Sequence, residues 1–363
     1  MNSVREKDKK DILSKITQLR NDNIRSIDII SDIILHKDKE KIFFIGTPEH
    51  TNIGDHAIAY ATNIMLKKLY KDKLIKEYTV NDFIYAKNVI CKFIKDSDII
   101  FLHGGGNLGN LWISEENVRR DIISKFKNNE LIILPQSIYF SNDENGIEEL
   151  KKSKRIYNSH NNLTIMARDK KSYDFAKEYF CNNKIILSPD IVFSLCHNIN
   201  IPIVNREGIL FLLRTDKEKI TDDQLIENIK LYLSSINENY VIETNLLTSA
   251  VPNCKLEREN IVINQLNNIS KYKICITDRL HGAILAFISN TPCIVFKSLD
   301  HKIEYGLEWL KDVKSISYIG ENKDIEYIKS IINKYLNNNN INLNTNMDFD
   351  KQIEDLILNI IGK

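Results

Sequence analysis

The sequence carries almost no net charge: 50 lysines and arginines against 49 aspartates and glutamates leave +1. A nucleic-acid-binding stripe or a polybasic membrane patch is therefore not suggested, and no nucleic-acid partner is expected. Long hydrophobic runs are missing as well. The longest are about strand length, far short of the ~20 residues of a membrane span. The first residues, M-N-S-V-R-E-K-D-K-K-D, contain no apolar core and do not read as a secretory signal. The expected location is cytoplasmic, with peripheral attachment at the inner face of the membrane left open. Cysteine is sparse: six are scattered without a CxxC or a Cys/His cluster, which excludes a zinc or disulfide framework. Cys275 and Cys293 sit in apolar strand-like runs and read as reduced core thiols. No H-E-x-x-H, P-loop, EF-hand or G-x-S-x-G pattern occurs. No metal site and no cofactor are expected.

What is present is an ordinary apolar content spread over 363 residues, comfortable for two domains. Residues 8–36 place Ile12, Ile16, Leu19, Ile27, Ile30 and Ile34 at helical spacing, interrupted at Asn23, which predicts a leading helix packed on the first domain. From residue 41 strands and helices alternate. The expected strands are Lys41–Ile45, Asp98–Leu102, Leu131–Leu134, Leu163–Ala167 and Lys184–Leu187. Beyond Pro202 come Gly208–Leu213, Tyr240–Glu243, Lys273–Thr277 and Pro292–Phe296. Helices such as Ala57–Tyr70, Glu115–Phe126, Asp222–Ile236 and Arg258–Lys271 fall between them. Such alternation implies parallel sheets covered on both faces. The fold class is therefore α/β, with two doubly wound Rossmann-like domains facing a cleft. The expected divisions are 1–200, 207–336, an Asn-rich linker at 337–347 and a docked C-terminal helix at 348–363.

The unusual residues follow the strands. G-T-P-E-H-T-N-I-G-D (46–55), H-G-G-G-N (103–107), Gln136-Ser137, Arg168-Asp169, Pro189-Asp190, Arg214-Thr215 and Asp278-Arg279-Leu280-His281 each come just after one. Ligand crevices of open α/β sheets lie at the carboxyl ends of strands, so these clusters are within reach of one cleft. Gly104, Gly105, Gly106 and Asn107 form a turn where backbone N–H groups approach a ligand or, in the plainer reading, a tight structural turn. The formal GxGxxG at 104–109 lacks an acidic residue closing the next strand and does not read as a dinucleotide site. Asp96-Ser97-Asp98 precedes its strand and so belongs on the face away from the cleft. Asn52 and Gly54 lead into a helix, and Asp55 is either its N-cap or a carboxylate at the cleft mouth. His50 and His56 beside it read first as packing or surface histidines. Arg168 pairs with Asp169 or Asp190, or clamps a ligand. Arg279 and His281, two apart in an extended segment, would face the same way, with Leu280 packed behind. An arginine fork and a histidine make a site for a small carboxylate or phosphate. Trp112 and Trp309 lie near cleft loops, as core residues or as platforms for a sugar ring.

With these residues in view, the chain resembles the polysaccharide pyruvyl transferase family. The matching features are G-T-P-E-H-T-N-I-G-D (46–55), D-I-I-F-L-H-G-G-G-N (98–107), A-R-D (167–169), S-P-D (188–190) and T-D-R-L-H-G-A-I-L-A (277–286). The resemblance implies a GT-B-like fold and phosphoenolpyruvate as donor substrate. The acceptor would be a sugar or lipid-linked oligosaccharide of an exopolysaccharide or cell-wall polysaccharide, and the product a pyruvate ketal. Membrane-associated polysaccharide-synthesis enzymes would be the partners. Donor-site residues carry over onto Arg168, Arg279, Leu280 and His281, and the acidic residue of the first loop onto Asp55. His281 would then be general acid and Asp55 base, or the reverse. Two competing readings stay open: a sugar-nucleotide-dependent GT-B glycosyltransferase, and a non-catalytic scaffold in a polysaccharide-synthesis complex.

Overall fold

The structure, a computed structural model, describes residues 20, 23–202, 204–216, 218–244, 246–252, 254–299, 301–337 and 348–362. Of the expected leading helix, Ile12, Ile16 and Leu19 lie outside these residues, and so does the Asn-rich tract after Asn337. Residues 23–35 form helix α1. It docks through Ile33, buried, and Ile29, while Ile27 and Ile34 are exposed. The packed stripe is thus offset from the expected one. Salt bridges of Arg25 to Glu49 and Asp82, and of Lys76 to Asp32, fix the helix on that face.

The first half then runs β1 (Lys41–Thr47), α2 (Ile53–Leu69), β2 (Leu74–Thr79), α3 (Val80–Phe93), β3 (Ile99–Leu102), β4 (Gly105–Gly109), α4 (Ile113–Lys125), β5 (Glu130–Tyr139), α5 (Glu144–Tyr157), β6 (Leu163–Ala167), α6 (Lys170–Tyr179) and β7 (Lys184–Leu187). A 3₁₀ turn, Ile191–Cys196, closes it. The strand order is β2-β1-β3-β5-β6-β7, with β4 added beside the second half of β5, and every pair is parallel. The central strands, KIFFIGT and IIFL, are almost wholly buried. Strands covered on both faces lose the alternating pattern and read as continuous apolar runs.

The second half comprises β8 (Ile209–Leu213), α7 (Asp223–Ser235), β9 (Tyr240–Thr244), α8 (Lys255–Ile269), β10 (Ile274–Thr277), α9 (Leu280–Ile288), β11 (Cys293–Phe296), α10 (Lys302–Gly306), β12 (Ile316–Gly320), α11 (Ile325–Asn337) and α12 (Phe349–Ile360). Its parallel sheet has the order β12-β11-β10-β8-β9. No helix among the described residues is long and apolar enough to cross a membrane.

The two sheets share one apolar core. A single cluster runs from Ile42, Phe44, Phe101 and Met166 through α2 and Phe193 to Leu210, Leu212, Cys275 and the apolar side chains of α9. Helix α9, LHGAILAFI, is apolar on every side and buried throughout save His281, as a helix enclosed between two layers must be. Helix α12 lies back across the first half: Phe349 stacks on Phe193 with centroids 4.6 Å apart, and Lys68 of α2 pairs with Asp350 at 3.1 Å. Polar ties follow the same seam. The Glu77 side chain of β2, 5% exposed, pairs with Arg258 and lies 3.2 Å from Lys255, both on α8. The loop before α2 is stitched to the loop after β9 by Ile53 N–H donating to the Leu246 carbonyl (3.0 Å) and Thr248 N–H to that of Thr51 (2.8 Å).

Candidate active site

Helix α2 begins earlier than its apolar pattern suggested. Asn52, extended at φ −70°, ψ 112°, is the N-cap, its side-chain oxygen accepting from Gly54 N–H at 3.0 Å. Asp55 is not the cap; it stands in the first turn, where a carboxylate complements the helix dipole. One Asp55 oxygen accepts from Asn52 Nδ2 at 2.8 Å and lies 3.5 Å from His50 Nε2. The other, Oδ1, borders Gly105: a Cβ there would stand 3.5 Å from it. The first loop and the glycine turn therefore meet at Asp55. His56 is buried, with Nε2 2.6 Å from the His50 carbonyl, and burial pushes it down to about 4, so it packs as a neutral ring.

The glycine turn is held from behind. Asn107 turns its side-chain oxygen inward to Arg119 (2.6 Å) and Gln136 (3.1 Å), and Gln136 also donates to the His103 carbonyl (2.7 Å). Asn107 thus shapes the turn through contacts inside the first half. Gly104 has no room for a side chain, since a Cβ would sit 2.9 Å from the Pro135 carbonyl. Gln136 and Ser137, expected after a strand, lie within β5, which is extended by its pairing with β4. Asp98 accepts from Lys95 N–H (2.8 Å) and Lys41 N–H (3.4 Å) at the opposite, amino end of the strands.

Arg168 leaves the end of β6 buried, 3% exposed, and pairs with Asp190, not Asp169. Its Nη1 donates to Asp190 Oδ2 at 2.8 Å and its Nε to Ser137 Oγ at 2.8 Å. Asp169 instead caps α6, accepting from Ser172 N–H at 2.8 Å and from the Ser137 hydroxyl at 2.6 Å. Fixed on two sides, Arg168 presents Nη2 to the glycine turn: a Cβ on Gly106 would lie 3.0 Å from it. The same imagined Cβ lies 3.0 Å from Lys302 Cε. A guanidinium from the first half and a lysine from the second thus meet over one glycine. Lys302 escaped the sequence reading although its signal was there. It belongs to the run K-S-L-D-H-K (297–302) that follows β11, as the other polar clusters follow their strands.

Arg279 and His281 do not lie in one extended segment. Arg279 is extended (φ −125°, ψ 132°), but the helix starts at Leu280, so His281 is already in its first turn. The side chains part company. Arg279 reaches Asp216, Nη2 to Oδ2 3.1 Å, beside Arg214, which binds Asp216 and Glu218. Burial, then the neighbouring Arg214 charge, lowers the proton affinity of Arg279. His281 turns to the first half, where its Nε2 is 3.2 Å from Asp190 Oδ2. Its other face rests on Gly54: a Cβ there would fall 2.3 Å from Nδ1. Leu280 packs behind, against Gly306. Trp309 donates its indole N–H to the Arg168 carbonyl at 2.8 Å, a tie between the halves, whereas Trp112 is exposed.

Around the two glycines Gly54 and Gly106 the structure thus gathers a carboxylate, an imidazole, a guanidinium and an ammonium-bearing side chain from both halves. Residues 52–301 match the profile of the family described as polysaccharide pyruvyl transferase. The chain belongs to the polysaccharide pyruvyl transferase family. It is a transferase. General stress protein 30 of Bacillus subtilis (strain 168) is 36% identical over 325 residues, covering 88% of this chain and 92% of that one. Pyruvyl transferase 1 of Schizosaccharomyces pombe (strain 972 / ATCC 24843) is 28% identical over 275 residues, covering 71% of this chain and 66% of that one. Among solved structures, the UDP-GlcNAc 2-epimerase of Neisseria meningitidis superposes with a TM-score of 0.51 at 12% identity, covering 88% of this chain and all of the other (100%). That likeness concerns the fold, which is GT-B-like with parallel sheets.

Proposed function

We propose that this pyruvyl transferase takes the pyruvate unit from phosphoenolpyruvate and sets it as a ketal on a sugar of an exopolysaccharide or cell-wall polysaccharide, or of its precursor, releasing phosphate. The observation that carries this reading is the meeting of Arg168 Nη2 and Lys302 over Gly106, with His281 beside Gly54 and Asp55 beside Gly105. Phosphoenolpyruvate bears a carboxylate and a phosphate on three carbons. The remaining Nη2 amino group of the Arg168 guanidinium and an ammonium group from the other half suit such a multiply charged anion. Arg279, with Leu280 behind it, is a further anion-binding group on the same side of the second sheet.

His281 protonates C3, leaving positive character at C2. A sugar hydroxyl attacks C2 and gives its proton to Asp55. The C2–O bond to phosphate breaks, the phosphate taking the electron pair. A second hydroxyl then adds to C2 and loses its proton, closing the ketal. One proton enters at C3 and two leave the hydroxyls, the extra one departing with phosphate. This acid–base sequence requires neither metal nor cofactor, so turnover is expected to persist with a chelator present.

The test is a ligand screen followed by turnover. Only a true ligand raises the melting midpoint with concentration, by about 2.7 kcal/mol of stabilisation at a hundredfold excess over Kd. Phosphoenolpyruvate is expected to do so. Nucleotide-linked and lipid-linked sugars are then offered with phosphoenolpyruvate, following phosphate release and the acceptor's gain of one ketal by mass spectrometry. Stabilisation by a UDP-sugar and none by phosphoenolpyruvate would overturn the reading in favour of glycosyl transfer.

A further inference from the structure

We infer that Asp190 is a positioning residue that fixes His281 with Nε2–H on the carboxylate and Nδ1 toward the substrate, and that the same carboxylate aims Arg168. Its catalytic meaning rests on the reading of His281 as proton donor; its geometry does not.

Asp190 stands on the turn after β7, in the first half, and His281 on α9, in the second. The carboxylate is 3% exposed, and each of its oxygens is committed. Oδ1 accepts from Val192 N–H at 3.0 Å, which locks the carboxylate plane to the backbone of the turn. Oδ2 accepts from Arg168 Nη1 at 2.8 Å and faces His281 Nε2 at 3.2 Å. Burial by itself would keep this carboxyl protonated. The charges and hydrogen bonds of His281 and Arg168, with the Val192 N–H, overcome that and hold it well below the usual carboxylate range.

An ionised carboxylate only accepts hydrogen bonds. The nitrogen facing it must carry the proton, so Nε2–H is fixed and Nδ1 is left as the position whose protonation can change. Nδ1 lies on the Gly54 side of the ring, where a Cβ on Gly54 would stand 2.3 Å from it, and Gly54 is one residue from Asp55, the proposed base for the sugar hydroxyl. The proton given to C3 therefore leaves from Nδ1. On the other branch, Asp190 and Ser137 occupy Nη1 and Nε of Arg168, leaving the Nη2 edge for the glycine turn. One buried carboxylate thus sets two groups of the site, one from each half of the chain. A carboxylate serving only as a buried tie between the halves would hold the same distances but would not make the kinetic effects of Asp190 and His281 interdependent.

The first measurement is made on the unaltered protein. In ¹⁵N-histidine spectra recorded at alkaline pH, with His281 assigned by its loss in His281→Gln, the ring is expected as the Nε2–H tautomer. An Nδ1–H tautomer would overturn the inference, whatever the donor is. The second uses Asp190→Asn and Asp190→Glu with phosphoenolpyruvate and the acceptor from the screen. Asp190→Asn is expected to lower kcat by about 10²- to 10⁴-fold, the range of general acid–base and carboxylate–histidine effects. The KM for phosphoenolpyruvate should move less than about tenfold, and Asp190→Glu, which keeps the charge, should recover part of the loss. The kcat penalties of Asp190→Asn and His281→Ala should combine to less than their product, because the effect of Asp190 on kcat runs through His281 while its hold on Arg168 is read in the KM for phosphoenolpyruvate. Multiplying penalties would mark Asp190 as a structural tie only. Normal turnover in His281→Ala would instead remove the proton-donor reading while the tautomer result stood unaffected.

Discussion

Gly54→Ala isolates the contact between the halves at the site. Gly54 is the second residue of α2, and its backbone angle is not left-handed, so alanine is conformationally acceptable. In an exposed helix the change would stabilise by up to about 1 kcal/mol. Here the new Cβ would stand 2.3 Å from His281 Nδ1, 2.8 Å from Cγ and 2.9 Å from Cβ, where ordinary contact is 3.4–4 Å. The ring cannot retreat freely. Asp190 holds its far nitrogen, and α9 is packed tightly at Gly282, where a Cβ would lie 2.4 Å from Thr277 Oγ1. Overpacking of this kind costs about 1–3 kcal/mol, so the net loss of stability should be about 0–2 kcal/mol, a few degrees in melting temperature. The effect on turnover should be larger. Relieving the clash requires a displacement on the order of 1 Å, and a misplaced catalytic group can cost about 10²-fold. Gly54→Ala should therefore fold, melt within a few degrees of the parent, and lower kcat about a hundredfold in the phosphate-release assay. A kcat within about threefold of the parent would refute the claim that the Gly54–His281 contact sets the ring.

Three further outcomes are expected. Glu77→Gln leaves Arg258 buried beside a neutral partner and should destabilise by about 3–5 kcal/mol in urea melts; a loss under 1 kcal/mol would mean that this seam contributes little. Burial pushes His103 down to about 3 and His56 to about 4, so folded rings stay neutral while unfolded ones take up a proton below about pH 6.5. The unfolded state then binds more protons, and stability should fall as pH drops from about 6.5 toward 4, with His103→Phe showing a shallower slope and an identical slope counting against the assignment. Arg279→Lys should weaken phosphoenolpyruvate binding about tenfold by calorimetry, because a point charge cannot bridge Asp216 and a ligand anion as the fork can; unchanged affinity would reduce Arg279 to a partner of Asp216.

The strands most easily found in the sequence are those buried on both faces, such as Ile209–Leu213 and Ile274–Thr277. Those it concealed have identifiable causes. Strand β2, LIKEYT, sets charged residues among apolar ones, and the Lys76 and Glu77 side chains are largely enclosed only because Asp32 and Arg258 meet them from distant elements. Strand β4, GGNLG, reads as a turn and becomes a strand through its pairing with β5. At the site, Arg168 was visible as an unusual residue, but Asp169 and Asp190 were equal candidates for its partner. Asp169 is taken by its own helix terminus, which leaves Asp190.

By itself the sequence determined a parallel α/β chain, the placing of polar clusters after strands, and membership of a pyruvyl transferase family. Each of these depends on local pattern or on short motifs: apolar runs, glycine turns and the T-D-R-L-H-G segment. The tertiary structure decided what those clusters do to one another. It started a helix at Leu280, turned Arg279 and His281 apart, and carried His281 to a carboxylate on the opposite half. It also brought Lys302 onto Gly106 beside Arg168. These contacts join residues as many as 196 positions apart, Gly106 to Lys302. They exist because an apolar core shared by two sheets clamps the halves together, and no local pattern in the chain encodes that packing.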